Sequence, residues 1–172
     1  MRMTPENLAD MVRFPVQHST TDSLMPSTFT SLNYQIVFST KDRVPHIADS
    51  WEFRLHEYLG GTIKGPGGVS LQVGGIEDHV HLLVGLKPTH CLADVLRELK
   101  RTSSIWVHTE IGENRFTWQT GYAAFTVSPS ACGSVRGYIK NQRKHHRQQS
   151  FREELIGMLQ RAGIEFEDRY LD

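Results

Sequence analysis

Apolar and polar residues alternate along residues 30–40, where Tyr34, Ile36 and Phe38 occupy every second position. Side chains of a β-strand point to its two faces in turn, so this spacing predicts a strand. Three later segments are also predicted as strands, namely residues 69–75, 79–86 and 125–127.

Apolar residues at helical spacing predict two helices in the first two thirds of the chain. The first is predicted to begin at Asp49, with Asp49 as its cap and Glu52 completing a capping box. The second follows Pro88-Thr89. Its apolar face is formed by Leu92, Val95, Leu96, Leu99 and Trp106.

Two further helices are predicted in the last third of the chain. Ser128-Pro129 combines a capping hydroxyl with proline at the first helical position, which predicts a helix that runs to about His145. Ser150 and Glu153 form a second capping box, which predicts a last helix that ends at Gly163.

The order of these elements is strand, helix, two strands, helix, strand, helix, helix. It predicts an α+β fold, a ferredoxin-like sandwich in which helices pack on an antiparallel sheet. The chain has 172 residues, of which 38% are hydrophobic, and this fits one domain with one core. Residues 1–27 are polar and contain three prolines, so we expect a loosely ordered extension before a domain at 28–172.

Composition says more about the compartment in which the protein works than about the molecule it binds. The 19 basic and 19 acidic residues give a net charge of zero, whereas nucleic-acid-binding proteins are usually basic, so any such site has to rest on local charge. Two distant cysteines without CxxC spacing favour a reduced, cytoplasmic protein. The sequence contains no run of about 18 apolar residues, so no membrane span is predicted.

A His-x-His pair lies in the third predicted strand, at His79 and His81. Residues two apart on a strand share a face, so both imidazoles point to one side while Val80 points to the other. Two imidazoles on a rigid strand form a preorganised pair of metal ligands. The alternative is that they are exposed histidines on the open face of the sheet.

Tyr138 and Gln142 are four apart in the predicted third helix and therefore share one helical face. A tyrosine hydroxyl can act as a nucleophile, and an amide oxygen can be a hard metal ligand. The same stripe contains Val135 and Ile139, so the alternative is that Tyr138 belongs to the core.

The segment around Tyr138 is basic and contains no acid. Such a run suits a phosphate backbone, although a solvated helix face is the alternative. Adjacent helical residues point about 100° apart, so His145 and His146 are interpreted as surface or DNA-facing groups rather than joint ligands of one ion. Candidate DNA contacts are Arg97, Lys100, Arg101, Arg143 and Lys144.

Four blocks of sequence resemble the single-tyrosine transposases of the smallest bacterial insertion sequences, which belong to the HUH (His–hydrophobic–His) nucleases. The order and content of the blocks are more specific than His-x-His alone, and the resemblance runs from about Ser27 to the C-terminus. The blocks are residues 78–84, 118–122, 124–128, and 138–142 with His145-His146.

This resemblance implies that His79 and His81 are metal ligands, Gln142 is the third ligand, and Tyr138 is the nucleophile. It also implies a ferredoxin-like fold and a homodimer in which one subunit can complete the site of the other. Two imidazoles and one amide oxygen do not identify the metal, since Mg²⁺ prefers oxygen and Mn²⁺ tolerates nitrogen better. We expect Mg²⁺ or Mn²⁺, with other divalent ions able to occupy the site. The substrate implied is single-stranded DNA with a hairpin near each end of the element, cut and rejoined through a 5′-phosphotyrosine.

Two rival functions remain open at this point. A domesticated relative would bind hairpin DNA or RNA without cutting it. A metal-dependent hydrolase would use activated water and release its product without a covalent intermediate.

Overall fold

The computed structural model describes residues 29–146, 148–168 and 171. Its central layer is a four-stranded sheet with the order β2-β3-β1-β4, in which every neighbouring pair is antiparallel. This arrangement confirms the predicted α+β sandwich. The strands are β1 (Asn33–Ser39), β2 (Val69–Ile76), β3 (His79–Gly85) and β4 (Ala123–Val127).

Helices follow the strands in the predicted order. The helix after β3 continues into a π-helical turn, Val107–Ile111, which ends at Gly112 with a φ of 86°. In the part of the chain that the structure describes, no helix is long and apolar enough to cross a bilayer. The helices are α1 (Asp49–Lys64), α2 (Leu92–Trp106), α3 (Cys132–Lys140), α4 (Gln142–His145) and α5 (Phe151–Arg161).

The main core lies between one face of the sheet and the helices α1 and α2. Alternation along β3 sends Val80 and Leu82 into this core, where they pack with Leu55 of α1 and Leu99 of α2, and all four side chains are completely buried. Burying a side chain of this size contributes about 1.5–3 kcal/mol. The sheet is thereby fixed on one side and presents its other face to the later helices.

Helices α3 and α5 cover the opposite face of the sheet. Ile139 of α3 packs with Leu83 of β3, and Met158 of α5 packs with Val37 of β1. Because β3 is central and covered on both faces, its histidines are buried rather than exposed. The alternative of histidines on an open sheet face is therefore wrong.

The two predicted capping boxes have different outcomes. The Ser150 hydroxyl oxygen accepts a hydrogen bond from the Glu153 amide, and the Glu153 carboxylate accepts one from the Ser150 amide, as predicted. The box at Asp49 is wrong, because Ala48 is the N-cap of α1 and Asp49 makes no capping bond. The Asp49 carboxylate instead accepts a hydrogen bond from Arg143.

The predicted continuous helix to His145 is interrupted at Asn141. Asn141 has a φ of −102° and a ψ of 17°, which separates α3 from the single turn of α4. Its side chain donates a hydrogen bond to the carbonyl oxygen of Gly137 at 2.8 Å. The residues after Asn141 therefore point in directions that a straight helix would not give.

Candidate metal and nucleophile site

His79 and His81 lie side by side in the middle of the sheet. On β3, His79 pairs with Ser39 of β1 and His81 with Gly74 of β2, and both side chains are completely buried. Their ring centroids are 5.1 Å apart. Strand alternation thus places both imidazoles on the face covered by α3 and α5, as the sequence predicted.

The orientation of His79 is set by two neighbours. Its Nδ1 lies 2.7 Å from the Asp78 carboxylate, and the ring of Phe151 packs on it with a centroid distance of 4.4 Å. An Nδ1–H that donates to Asp78 leaves Nε2 as an acceptor, which is the form that binds a metal. The sequence analysis did not assign this role to Asp78.

Tyr138 and Gln142 both reach the same carboxylate. The Tyr138 hydroxyl donates to Oε1 of Glu154, and Nε2 of Gln142 donates to the same oxygen at 3.0 Å. The Gln142 Oε1 atom lies 3.4 Å from Nε2 of His79. The four residues of the predicted site therefore meet within one chain. Tyr138 is half-buried and packs beside the core, but its hydroxyl points into the site.

Glu154 and His146 complete a cluster that the sequence analysis missed. Oε2 of Glu154 lies 3.1 Å from Nε2 of His146, 3.3 Å from Nε2 of His81 and 3.8 Å from Nε2 of His79. Donor atoms of these four residues all lie within 4.8 Å of one another. We call His79, His81, His146 and Glu154 the His/Glu cluster.

The donor set of the His/Glu cluster fits a divalent metal ion. Both ring nitrogens of His81, Nε2 of His146 and Oε2 of Glu154 are buried without a hydrogen-bond partner among the described residues. Buried polar atoms normally have partners, and leaving one unpaired costs about 1–3 kcal/mol. One cation could bind Nε2 of His81, Nε2 of His146 and Oε2 of Glu154 together, whereas Nδ1 of His81 lies on the other side of the ring and would not be satisfied by it. Imidazole with carboxylate and amide oxygen suits several divalent metals.

Burial favours the neutral form of two imidazoles of the His/Glu cluster, those of His81 and His146, because it lowers the pKa of each. Burial and the nearby His79 and His145 hold the pKa of His81 well below its usual value. Burial and His79 lower the pKa of His146 to about 4. Burial raises the pKa of Glu154 to about 7, opposed by His79. Neutral imidazoles are the form in which histidine binds metals.

The signal for His146 was present but was misinterpreted. The expectation that His145 and His146 are surface or DNA-facing groups is wrong for His146, because the break at Asn141 turns it toward His79, with ring centroids 4.5 Å apart. His145 lies outside the His/Glu cluster, against the ring of Tyr138. Glu154 did have a spacing signal, because it lies three residues after Phe151 and four before Met158 on the buried face of α5. That spacing does not show which groups its carboxylate meets, since only the packing of α5 on the sheet brings it to the histidines.

An opening of about 290 Å³ leads from solvent to Tyr138. Its walls carry hydrogen-bonding and basic groups, and Lys144 on its rim is exposed. The opening therefore suits a polar, anionic ligand beside the phenol. It is lined by Tyr138, Asn141, Lys144, His145 and Gln148.

The other candidate DNA contacts are not gathered around Tyr138. Arg97 and Arg101 lie on α2, across the sheet from α3, where they pair with Asp94 and Glu98 of the same helix. The Lys100 ammonium instead donates to backbone carbonyls of residues 119–121. Burial lowers the pKa of Lys100 to about 8.

Arg143 also has an internal role in the fold. Its guanidinium pairs with both Asp49 and Glu52 of α1, at 2.5 Å from each. These carboxylates raise the pKa of Arg143 above its usual range. Arg143 thus ties α4 to α1, next to Gln142. Any contact of these basic residues with DNA stays a prediction.

A family model described as Transposase IS200 like matches residues 28–142, which is more than half of the chain. No match is found among curated proteins.

Two solved structures resemble the chain. One, a candidate transposase from Deinococcus radiodurans R1, has a TM-score of 0.57 at 24% identity and covers 70% of this chain and 97% of that chain. The other is a REP-associated tyrosine transposase bound to a REP hairpin. Its TM-score is 0.53 at 12% identity, and it covers 72% of this chain and 74% of that chain. Identities this low establish a shared fold alone.

Proposed function

Since the chain belongs to the IS200-like transposase family, we propose that it cuts and rejoins single-stranded DNA with Tyr138 as the nucleophile. The observation that carries this proposal is the meeting of the Tyr138 hydroxyl with the buried imidazoles around Glu154 in one chain. A phenol that served only packing would not need its hydroxyl in a buried cluster of metal-binding groups.

In the proposed reaction, the Tyr138 oxygen attacks the scissile phosphorus after the hydroxyl loses its proton. A P–O bond forms to the phenol, and the bond from phosphorus to the 3′-oxygen breaks. The products are a 5′-phosphotyrosine and a strand with a free 3′-hydroxyl. A second 3′-hydroxyl reverses these steps and joins the strands. One phosphodiester replaces another throughout, so no nucleotide cofactor is required.

His79, His81 and Gln142 are proposed to hold a divalent ion, Mg²⁺ or Mn²⁺, with His146 and Glu154 as additional donors. A bound ion would neutralise charge that develops on the phosphate. The unpartnered lone pairs of His81, His146 and Glu154 support this assignment. Asp78 contributes by fixing the ring of His79, and α5 contributes by burying the site from water.

The DNA substrate is proposed to enter through the opening beside Tyr138. Lys144 on its rim would contact phosphate, and a basic contact of this kind makes affinity fall with salt. A relative of the same fold is described as bound to a REP hairpin, which supports hairpin DNA as the partner here. A homodimer is a further part of the proposal. Light scattering of the purified protein would test it, and the cis arrangement above does not require it.

The test uses single-stranded oligonucleotides with the sequences of the two ends of the insertion sequence. Each is labelled at its 5′ or its 3′ end and incubated with the protein and Mn²⁺. Label at the 3′ end should become covalently attached to the protein, whereas label at the 5′ end should be released on a shorter strand. Tyr138→Phe should abolish attachment. Tyr58→Phe is the matched control, because Tyr58 lies on α1 across the sheet and bonds the Thr102 carbonyl oxygen.

Each rival function predicts a different result in this assay. A binding relative would retain the hairpin and leave it uncut, and a hydrolase would cut it without attachment. Attachment that persists in Tyr138→Phe would exclude Tyr138 as the nucleophile.

A further inference from the structure

Among the residues that the structure describes, Glu154 is the one side chain that contacts both the predicted nucleophile and the metal-binding histidines. Its Oε1 accepts from the Tyr138 hydroxyl and the Gln142 amide, while its Oε2 faces the nitrogens of His81 and His146. The two oxygens of one carboxylate therefore divide the site into a nucleophile side and a metal side.

We propose that Glu154 is the positioning residue of the reaction: it ligates the metal through Oε2 and holds the Tyr138 hydroxyl beside it through Oε1. This inference rests on the proposed function. The inference adds that one rigid carboxylate fixes the distance between the nucleophile and the metal. The histidines and Gln142 cannot do this, because none of them bonds the Tyr138 hydroxyl.

The burial of Glu154 indicates a function rather than packing. Its side chain is 2% exposed, and glutamate is almost never fully buried unless it is paired. Among the described residues, the groups within bonding distance are a phenol, an amide and imidazoles, and no lysine or arginine bonds it. An apolar residue here would avoid the cost of desolvating a carboxylate, whereas a carboxylate that ligates a cation would offset that cost.

The position of Glu154 is rigidly defined. Phe151, three residues earlier on the same helical face, packs against the ring of His79. Met158, four residues later, is buried in the core with Val37. Glu154 is thus held between two anchors, as a positioning group requires.

Two substitutions separate the two sides of the carboxylate. Glu154→Gln keeps an oxygen that accepts the phenol but turns an NH₂ group toward His81 and His146, so it should weaken Mn²⁺ binding by about tenfold or more. Glu154→Asp keeps the charge but is one methylene shorter, so it cannot span both sides. It should bind Mn²⁺ better than Glu154→Gln yet still attach DNA slowly.

The experiment combines calorimetric titration of Mn²⁺ alone with attachment rates over a range of oligonucleotide concentrations. Both variants should lower the rate at saturating DNA by about 100-fold, the scale of a misplacement near 1 Å. The half-saturating DNA concentration should stay close to that of wild type, because Glu154 is buried and does not face the opening. A loss confined to the saturated rate indicates positioning.

Glu153→Ala is the matched control, because it removes the two hydrogen bonds that the Glu153 carboxylate accepts from Ser150 in the capping box without touching the site. It should lower the melting temperature while Mn²⁺ affinity and the attachment rate stay near wild type. A general loosening of α5 would instead make Glu153→Ala and Glu154→Gln behave alike, which would overturn the inference.

The inference and the proposed function fail in different ways. If Tyr138→Phe abolishes attachment but Glu154→Gln matches wild type in Mn²⁺ affinity and rate, the role of Glu154 is wrong and the function stands. If wild type attaches no DNA, the proposed function is wrong. In that case unchanged Mn²⁺ binding by Glu154→Gln would also overturn the metal side of the inference.

Discussion

His79 is held on one ring nitrogen by Asp78, so its other nitrogen faces the metal side of the site. Removing a carboxylate that orients a ligating histidine typically costs about 10–100-fold in metal affinity. We therefore expect Asp78→Ala to weaken Mn²⁺ binding by this range in calorimetric titration. Glu77→Ala is the matched control, since Glu77 is exposed in the same turn. Equal affinities for the two variants would contradict the role of Asp78.

At the scale of residues, spacing along the chain correctly predicted those side-chain directions that the local backbone conformation alone determines. Strand alternation requires His79 and His81 to share a face, so this prediction did not depend on the rest of the fold. Spacing puts Glu154 on the face of Phe151 and Met158 and Glu153 off it, but it does not show which groups the Glu154 carboxylate meets. Only the docking of α5 on the sheet makes one carboxylate a solvent-exposed cap and the other the centre of the site.

The elements of the site depend on a close approach between α3 and β2. A Cβ added at Gly74 would lie 2.6 Å from the Ile139 carbonyl oxygen and 2.9 Å from its side chain. Because the obstacle is backbone, Gly74→Ala must displace the helix that carries Tyr138. We expect a loss of about 1–3 kcal/mol in the free energy of unfolding, measured by urea denaturation, together with slower DNA attachment.

The control for this prediction is Gly133→Ala, on α3 itself. A Cβ at Gly133 meets nothing within 4 Å, and alanine favours a helix over glycine by up to about 1 kcal/mol. This variant should be as stable as wild type or more so. If Gly74→Ala behaves like Gly133→Ala, the two elements are not packed as tightly as described.

The candidate DNA-contacting basic residues lie on opposite sides of the sheet. Lys144 lies on the rim of the opening at Tyr138, whereas Arg101 lies across the sheet in an ion pair with Glu98. Lys144→Gln should reduce the slope of log affinity against log salt by about one, measured by fluorescence anisotropy with hairpin DNA. Arg101→Gln should leave that slope unchanged. A reduced slope for Arg101→Gln would place DNA on the α2 side.

Helix prediction worked at the scale of single elements and failed at their junctions. The start at Ser128-Pro129 was identifiable from proline chemistry, because proline fits the first turn, here the 3₁₀ turn Pro129–Ala131 that leads into α3. The predicted cap is wrong, since the Ser128 hydroxyl makes no capping bond. The break at Asn141 was not, since it depends on the turn to α4 that Arg143 fastens to α1. The assignment of His146 changed with that break.

For the whole molecule, the order of strands and helices was enough to predict the sandwich. Short antiparallel strands with interspersed helices leave few ways to cover both faces of a sheet. The predicted extension at residues 1–27 lies outside the described residues. The zero net charge proved uninformative about the site, because the opening at Tyr138 depends on local residues.

The stability of the metal-free protein should depend on pH through Glu154. Its pKa is about 7 in the fold against a usual 4.5, so the folded state keeps a proton that the unfolded chain releases. The free energy of unfolding therefore falls as pH rises from about 4.5 to about 7, by up to about 3 kcal/mol at 1.36 kcal/mol per pKa unit.

Glu154→Gln removes this dependence, so urea denaturation in EDTA should find it more stable than wild type at pH 8. The difference should shrink toward pH 5. His81 and His146 act in the opposite direction, since their lowered pKa values reduce stability as pH falls below 6.5, but they are present in both proteins. A difference that stays constant between pH 5 and pH 8 would contradict a buried, destabilised carboxylate.

The most direct test of the central claim is to locate the covalent bond. Protein incubated with end-derived single-stranded DNA and Mn²⁺ would be digested with nuclease and trypsin and analysed by mass spectrometry. We expect a nucleotide attached to the peptide of residues 137–140, in which Tyr138 is the only tyrosine. A nucleotide attached to any other residue, or cleavage without an attached nucleotide, would contradict the account.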